Sequence, residues 1–470
     1  MSKIRYEQQQ DAVKTIIERG CRCKEDASRH GLLDTPKRVA QAWRSMAAGD
    51  GSIEHASDII KNALFFEPIL TTSPHCGFVL VKDMTFSGLH KHSLLPMYGK
   101  CHVAYIPKEG TIVGLSKLSR VISSLSVRGL QLGPEFCDKV LQVVDRTVFN
   151  NGGIVVVLDV FEYHRHHEQR YIYSRASGAF SDQGETVYHA EEVFALLGID
   201  INSVCDVEHS TENPLIKDPN SNDSEYIEAV SDAVGVLLES VGEDPDTAEA
   251  RSSAQTYASW FVQSTRGYSM EQKSFERFSR DNYHNNNTSS TSGLSAATDV
   301  VVAVGDDDMP CDDDAHELHG DQEVTETYHI PCTSQCEHHL LPFTGDVVVL
   351  CRRKHDPKKT WQKPTFQHMC EYQVEMFSKR LQVQERLTQQ IADGIWGCLG
   401  DDHMVKEIMV VCQCKHMCMI ARGVQQHCTS TATYTVRGDG PWSQDGMQRS
   451  QALAHVLQVH CRNNTNCHNK

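Results

Sequence analysis

The sequence repeats itself, and this repeat constrains the fold more than any other feature of the chain. Residues 92–99 (HSLLPMYG) match residues 338–345 (HHLLPFTG). Further along each copy, residues 130–131 (LQ) match residues 381–382 (LQ). In each copy the hydrophobic pattern predicts the order helix, helix, two strands, two helices, two strands, helix. We therefore expect an α+β protein with two tandem domains, each combining helices with antiparallel strands.

The 470 residues divide into two domains joined by a polar segment. We place the N-terminal domain at residues 1–204 and the C-terminal domain at residues 225–470. Residues 205–224 between them are rich in Asp, Asn, Ser and Pro, which is typical of a linker. Residues 281–325 contain consecutive asparagines, a Ser/Thr run and Asp triplets, so a disordered insert without a core of its own is predicted there.

The charge and the cysteine content limit the class of protein. A formal net charge of -17 argues against general nucleic-acid binding, which requires a basic face, so any polyanion site must be a local cluster of Arg and Lys. The first residues lack an apolar signal region, and no apolar run reaches the roughly 18 residues that span a membrane. The 18 cysteines are therefore expected in a reducing cytoplasm, as free and metal-bound thiols.

Two short segments rich in cysteine and histidine indicate a metal site. They are residues 336–339 (CEHH) and residues 416–418 (HMC). Cys336, His339 and Cys418 form a Cys₂His set that leaves the fourth tetrahedral position open, which suits a catalytic zinc with a bound water. The alternative is that these are ordinary residues in a chain rich in both types. The pairing of two such segments favours zinc as a cofactor.

The two copies differ at the metal positions. His90 and Ser93 stand where the second copy has Cys336 and His339. The predicted strand at residues 154–165 contains no cysteine that matches the third ligand. We therefore predict that the first copy holds no zinc.

The remaining histidines of these segments suggest a different role. His338 and His416 adjoin predicted ligands, so they can transfer protons without holding the metal. Another group, His164, His166 and His167, lies in a polar run. We interpret that group as a solvated turn rather than a second metal site.

Cations replace other residue types in one helix of the first copy. Lys117 and Arg120 align with His368 and Glu371 of the second copy. Their i, i+3 spacing puts both cations on one face near the start of a predicted helix, where free amides and the helix dipole also favour anions. A phosphate chain is one interpretation of this pair, and a solvated amphipathic helix is an equally good one.

These segments together resemble a known family. Residues 336–339, residues 381–391 (LQVQERLTQQI) and residues 416–418, followed by Arg422 and Gly423, resemble the signature segments of GTP cyclohydrolase I. Residues 35–38 (TPKR) and residues 114–120 (GLSKLSR) resemble the remaining segments of that family. The duplication resembles its tandem, plant-type form.

The resemblance implies a fold, a reaction and an assembly. The family uses the tunnelling fold, in which helices back a four-stranded antiparallel sheet and subunits assemble into rings, so a homo-oligomer is expected. The reaction implied is zinc-dependent hydrolysis of GTP to 7,8-dihydroneopterin triphosphate and formate, the first step toward pterins and tetrahydrofolate. No nucleic-acid or membrane partner is expected.

The resemblance also implies roles for particular residues, in pockets formed between the N- and C-terminal domains. Transferred position by position, these are zinc ligation by Cys336, His339 and Cys418; proton transfer by His338 and His416; later ribose rearrangement assisted by Ser116; guanine binding by Glu385 with Gln384 beside it; and triphosphate binding by Arg422, Lys117, Arg120 and Arg38.

Two alternatives remain beside this interpretation. The chain could be a non-catalytic zinc-binding scaffold or regulator of the same fold, because one copy has lost the zinc ligands. It could also be another pterin enzyme of the tunnelling fold, such as a relative of 6-pyruvoyl-tetrahydropterin synthase. Those enzymes bind zinc through histidines only, so Cys336 and Cys418 argue against that alternative.

Overall fold

The computed structural model describes most of the chain. The described residues are 3–47, 52–61, 63–66, 78–107, 111–126, 130–147, 153–164, 167–178, 180, 186–205, 223–275, 277–278, 323–354, 361–399, 404–421 and 429–467.

The elements of the first 264 residues are eight helices and seven strands within the described ranges. The helices are α1 (Lys3–Gly20), α2 (Thr35–Ala47), α3 (Ile53–Lys61), α4 (Leu115–Ser126), α5 (Gly133–Thr147), α6 (Thr186–Leu197), α7 (Ser224–Ser240) and α8 (Ala248–Ser264). The strands are β1 (Leu64–Phe66), β2 (Val79–His90), β3 (Pro96–Tyr105), β4 (Thr111–Val113), β5 (Leu130–Gln131), β6 (Gly153–His164) and β7 (His167–Gly178).

The later described elements repeat the strand and helix order of the first copy. The strands are β8 (Glu323–Cys336), β9 (Pro342–Lys354), β10 (Leu381–Gln382), β11 (Val405–His416) and β12 (Thr431–Gly438). The helices are α9 (Lys363–Ser378), α10 (Gln384–Leu399), α11 (Met417–Ile420), α12 (Pro441–Gln444) and α13 (Gly446–Cys467), and short 3₁₀ turns lie at Ile201–Ser203 and Arg266–Ser269.

The contacts divide the chain into two compact units that do not follow the two sequence copies. The first unit comprises Met1–Thr265, Cys336–Pro342 and His416–Thr429, and the second comprises Arg266–Gln335, Phe343–Lys415 and Ser430–Lys470. The domain boundaries inferred from the repeat, 1–204 and 225–470, stay a prediction, as does the linker, of which residues 206–222 lie outside the described residues.

In the first unit, helices from both sequence copies pack together. Val13, Ile16 and Ile17 recur at helical spacing in α1 and are buried, as the pattern predicts. The helix α1 packs on α2 and on α7, which begins the second copy. Just after α1, Arg22 donates from Nε and Nη2 to the carboxylate of Asp223, at 2.9 and 2.8 Å. The second copy therefore contributes helices to the same unit as the first sheet.

The sheet of the first unit has five strands in the order β5-β2-β3-β6-β7. The four long strands pair antiparallel, as the resemblance predicts. The fifth, β5, is only two residues long and pairs parallel with the end of β2. The Gln131 side chain explains its position, because it donates to the backbone carbonyls of Leu125 and Ser126 at 2.7 and 3.1 Å. The prediction of four strands is therefore corrected to five.

Residues of β6 alternate between two hydrophobic cores. Val156, Leu158 and Val160 point into a core that includes the buried faces of α3, α4 and α5. Val155 and Val157 point into another core, with the buried face of α6. Helices therefore cover the sheet of the first unit on both faces.

The second unit contains a sheet with the same plan, ordered β10-β8-β9-β11-β12. The sequence pattern predicts one long helical region over residues 366–399, but the structure divides it into α9 and α10, and Arg380 donates to the carbonyls of Met376 and Gly267 where α9 ends. The strand β8 already begins at Glu323, so the last residues of the predicted insert 281–325 are ordered in a strand. Residues 281–322 of that insert lie outside the described residues.

The glycine that ends the repeated motif is required in each sheet for the same steric reason. A Cβ at Gly99 would lie 2.0 Å from the carbonyl oxygen of Asp159, and a Cβ at Gly345 would lie 1.9 Å from that of Gln413. Any other residue would push the neighbouring strand away. The matched glycines therefore mark close backbone approach.

Two further differences concern helices. The sequence pattern predicts one strand over residues 405–421, but β11 ends at His416, where the helical turn α11 begins. The polar residues after Val459 predict a frayed chain end, but α13 continues to Cys467. Among the described residues, no helix combines the length and the apolar character that crossing a bilayer requires.

Candidate functional site

The predicted metal ligands meet in the first unit. The ligand atoms of Cys336, His339 and Cys418 all lie within 4.8 Å of one another. Within the described part of the chain, this is the group of Cys, His, Asp or Glu side chains that is arranged to hold a metal ion. Two segments separated by 76 intervening residues therefore converge on one point, as their sequence pattern predicts.

A tight turn after β8 brings the first two ligands together. The backbone N–H of Cys336 donates to Leu341 at 2.9 Å, and the N–H of Leu340 donates back to Cys336 at 2.9 Å. Leu340 adopts the left-handed conformation, with φ of 51°, so the chain reverses direction. His339 is thereby returned toward Cys336, with Nδ1 at 3.8 Å from Sγ.

The third ligand comes from the helical turn after β11. Its N-cap is His416, and the N–H of Ala421 donates to the carbonyl of Met417 at 2.8 Å. This single turn buries Met417 and Ile420 and leaves Cys418 partly accessible. The change from strand to helix at His416 therefore directs Cys418 toward the other two ligands.

The distances fit a tetrahedral ion. With Zn–S near 2.3 Å and Zn–N near 2.05 Å, tetrahedral geometry places a sulfur and a nitrogen ligand about 3.6 Å apart. The observed separation of 3.8 Å between Cys336 Sγ and His339 Nδ1 needs only a small adjustment. Two thiolates and one imidazole are also a donor set that zinc prefers.

The surroundings of Cys336 favour its thiolate form. A hydrogen bond with Cys418 is the largest cause that lowers the pKa of the Cys336 thiol, and hydrogen bonds with His338, His339 and His416 act in the same direction. Burial opposes them, but the pKa lies well below its usual value. A thiolate is the form that ligates a metal, so the apoprotein site is electrostatically prepared.

The two predicted proton-transfer residues lie at this site. His338 and His416 are both half-buried and both interact with Cys336. The pKa of His338 is raised, mainly by its hydrogen bond with Cys336, while burial and, most weakly, the charge of Arg38 oppose this rise. Arg38 comes from the first sequence copy but lies in the same compact unit as His338.

The other residues predicted from the first copy lie near the start of α4. Ser116 and Arg120 are exposed, and Lys117 is half-buried. The backbone N–H of Lys117 donates to Gly114 at 2.8 Å, which closes the first turn of the helix. Both cations therefore lie in the first two turns of α4.

Arg38, the remaining cation predicted from the first copy, lies in α2. Its ion pair with Asp34 is long, at 3.4 Å, and the Arg38 side chain is 40% exposed.

Gln384 and Glu385 belong to the second unit. The Gln384 amide donates to the carbonyls of Cys412 and Thr431, at 2.9 and 2.8 Å. Gln384 is buried and joins the start of α10 to the sheet. Glu385, the next residue, is exposed in the first turn of α10. Arg422 lies outside the described residues.

The equivalent turn of the first copy has the same backbone but different side chains. Leu94 is left-handed, with φ of 55°, like Leu340. His90 Nδ1 accepts from the N–H of Ser93 at 3.2 Å, and its Nε2 lies 3.6 Å from the carboxylate of Glu162. A buried His, Ser and Glu cluster therefore occupies the position of the metal set.

The histidine group predicted as a solvated turn is only partly described. His164 and His167 pair through their backbones at the ends of β6 and β7. Their side chains, together with Arg165 and His166, lie outside the described residues.

The sequence analysis did not identify the residues that surround Glu337. This glutamate lies between predicted ligands and is buried, and it contacts Arg29 and Thr35. The only sequence signal was its position inside the CEHH segment, because its partners are about 300 residues away.

Comparison with known proteins identifies relatives of both halves. The family model for GTP cyclohydrolase I matches residues 9–193 and 307–457. A GTP cyclohydrolase 1 of Solanum lycopersicum is 29% identical over 469 residues, which cover 94% of this chain and 91% of the relative. One of Arabidopsis thaliana is 28% identical over 470 residues, covering 95% and 90%. One of Bacillus subtilis (strain 168) is 37% identical over 159 residues, covering 33% of this chain and 76% of the relative.

Proposed function

This chain belongs to the GTP cyclohydrolase I family, and we propose that it hydrolyses GTP to 7,8-dihydroneopterin triphosphate and formate with zinc as its cofactor. The observation that carries the proposal is the convergence of Cys336, His339 and Cys418, with His338 and His416 beside them. Bound zinc would supply a Lewis acid and a water of lowered pKa as nucleophile near neutral pH.

The histidines of the site are proposed to move protons. Opening of the imidazole ring of guanine requires water addition at C8 and protonation of a ring nitrogen. His338 and His416 are both half-buried beside the metal ligands, where an imidazole is suited to exchange protons with the substrate. The hydrogen bond with Cys336 is proposed to orient the His338 ring for this role.

Guanine and triphosphate are proposed to bind through separate groups of residues. An exposed carboxylate at Glu385 can accept hydrogen bonds from the guanine N1–H and amino group, and Gln384 fixes the start of the helix that carries it. Cations suit the phosphates because charge-assisted hydrogen bonds to phosphate are strong and, for arginine, bidentate. The proposed phosphate-binding residues are Arg38, Lys117, Arg120 and Arg422, and Ser116 is proposed to assist the later ribose rearrangement.

The two sequence copies are proposed to complement each other. The second copy supplies the zinc ligands and Glu385, whereas the first supplies Arg38, Lys117 and Arg120. The presence of Arg38, Lys117 and Arg120 in the same compact unit as the metal ligands supports this division of roles. We further propose a tunnelling fold for each copy, assembly into a homo-oligomer, a cytoplasmic location and a role as the first step of pterin and tetrahydrofolate synthesis.

A non-catalytic zinc scaffold is the second candidate, and one observation favours it. His90 and Ser93 occupy the metal positions of the first copy, so one potential site has lost its ligands. The second site, however, retains His338 and His416, and a scaffold would not require these two histidines.

A direct assay separates these candidates. The purified full-length protein is incubated with GTP, formate is quantified, and oxidised products are examined for pterin fluorescence. We expect equal amounts of formate and pterin, loss of both with a zinc chelator, and recovery when zinc is restored. The Cys336→Ser variant should be inactive. Zinc-loaded protein that releases no formate would support the scaffold.

A further inference from the structure

The turn between two of the predicted metal ligands is held by the N-terminal segment of the chain. Nη2 of Arg29 donates to the carboxylate of Glu337 at 2.9 Å, and Oγ1 of Thr35 donates to the backbone carbonyl of Glu337 at 2.8 Å. These contacts therefore fix both the side chain and the backbone of Glu337. Because Glu337 directly follows Cys336 and precedes His338, any displacement of it moves residues on both sides.

The carboxylate of Glu337 is withdrawn from solvent and faces His338 as well as Arg29, with Oε1 at 3.9 Å from Nε2 of His338. The side chain of Glu337 is 4% exposed, and Arg29 covers it while also pairing with Glu25 at 2.9 Å. A Cβ at Gly31 would come within 3.0 Å of Glu337 Oε1, so glycine at that position makes room for the carboxylate. A buried carboxylate with a charged partner stabilises only the geometry that keeps the two together.

The first copy contains a related contact with the charges reversed. Lys91 occupies the repeat position of Glu337, and its Nζ lies 2.9 Å from Glu249 and 3.4 Å from Glu135. An ion pair therefore occurs at this repeat position whether or not metal ligands flank it. Only in the second copy does the anchored residue lie between a thiolate and an imidazole ligand.

We propose that Glu337 is a positioning residue for the metal site, and that Arg29 and Thr35 hold it so that Cys336 and His339 keep the spacing a metal ion requires. This inference rests on the proposed metal-binding function. It assigns to the N-terminal segment a part in metal affinity as well as in folding. Outer-shell partners of this kind typically change metal affinity by about 10- to 100-fold when they are removed.

The test measures metal affinity in the full-length apoprotein, without GTP. Zinc affinity is obtained by competition with a chromophoric chelator, and the absorption spectrum of the cobalt(II)-substituted protein reports ligand geometry. Glu337→Gln and Arg29→Ala should each weaken zinc binding by about 10- to 100-fold and shift the cobalt bands. Arg29→Lys, which keeps the charge, should recover part of the affinity. The Glu337→Gln/Arg29→Ala double variant should bind zinc no more weakly than the single variant with the lower affinity, because both substitutions remove the same interaction.

The matched control is Glu249→Gln, which weakens the equivalent ion pair of the first copy. It should lower the thermal midpoint less than Arg29→Ala does, because the Glu249 side chain is 53% exposed, and it should leave zinc affinity and the cobalt spectrum unchanged. The inference is overturned if Glu337→Gln and Arg29→Ala bind zinc like the wild type, or if Glu249→Gln weakens zinc equally. If the wild-type protein itself binds no zinc, the proposed function fails together with this inference.

Discussion

The Sγ atom of Cys336 and the Nδ1 atom of His339 lie 3.8 Å apart across a turn that contains the left-handed residue Leu340. The same backbone turn occurs in the first copy around Leu94, where His90 and Ser93 replace the two ligands. The turn is therefore a property of the repeated fold, and the ability to bind metal depends on the side chains placed on it.

This relationship predicts the metal content. The purified protein should contain about one zinc per chain, and Cys418→Ser should lose it because two remaining ligands hold zinc weakly. Elemental analysis of the dialysed protein measures both. Cys205→Ser is the control, since Cys205 lies in the same unit but outside the ligand set. Two zinc ions per chain, or full zinc content in Cys418→Ser, would contradict the assignment.

A second prediction concerns recognition of the base. Glu385→Gln should lower kcat/KM for GTP on the order of 10²- to 10³-fold, because each hydrogen bond to a charged group contributes about 1.5–3 kcal/mol. The thermal midpoint should barely change, because Glu385 is exposed. Steady-state kinetics and thermal unfolding test this. Glu371→Gln, another exposed helical carboxylate of the second unit, should keep wild-type kinetics. Normal turnover by Glu385→Gln would assign Glu385 to the solvated surface.

A third prediction concerns the triphosphate. Lys117→Ala and Arg120→Ala should each raise KM for GTP about tenfold, since each removes a charge-assisted contact, and zinc content should not change. Lys61→Ala, which removes an exposed cation of the same unit, is the control. If the double variant binds GTP normally, α4 is only an amphipathic surface helix.

A fourth prediction concerns the stability of the first sheet as a function of pH. Burial raises the pKa of Glu162 from 4.5 to about 7, while its side chain faces His90, Tyr171 and Tyr173. Between pH 4.5 and about 7, the carboxyl group of Glu162 has lost its proton in the unfolded chain but retains it in the folded protein. The free energy of unfolding should therefore fall as pH rises from 4.5 to 7, by up to about 3 kcal/mol from this group.

Glu162→Gln tests this effect because it cannot ionise. Denaturant unfolding at several pH values should give a variant curve that lacks the decline, so the variant gains stability relative to the wild type as pH rises to 7. Parallel curves for the two proteins would show that Glu162 does not titrate in this range.

Local patterns predicted much of the fold and of the candidate metal site. Helical spacing identified α1, and the matched motif placed Cys336 and His339 on equivalent turns, because both signals depend on residues close in sequence. The Gln384 side chain also joins α10 to the sheet through Cys412 and Thr431, which the sequence did not indicate, and its place beside the substrate stays a prediction. That bond depends on side-chain direction, which no sequence pattern encodes.

Long-range contacts were not predictable in the same way. Arg29 and Glu337 are 308 residues apart, and neither belongs to a pattern that indicates the other. The compact first unit likewise combines Met1–Thr265 with Cys336–Pro342 and His416–Thr429. A repeat in sequence predicts two similar folds, but it does not predict which copy packs against each segment.

We propose that residues of both sequence copies build one catalytic site. Arg38 comes from the first copy and lies in the same compact unit as the metal ligands, so Arg38→Ala is the most direct test. The measurement is the rate of formate release from GTP, with zinc content determined on the same sample and Lys37→Ala as an exposed neighbouring control. We predict one zinc per chain in Arg38→Ala and a KM for GTP raised about tenfold or more. Wild-type kcat/KM in zinc-loaded Arg38→Ala would contradict the account.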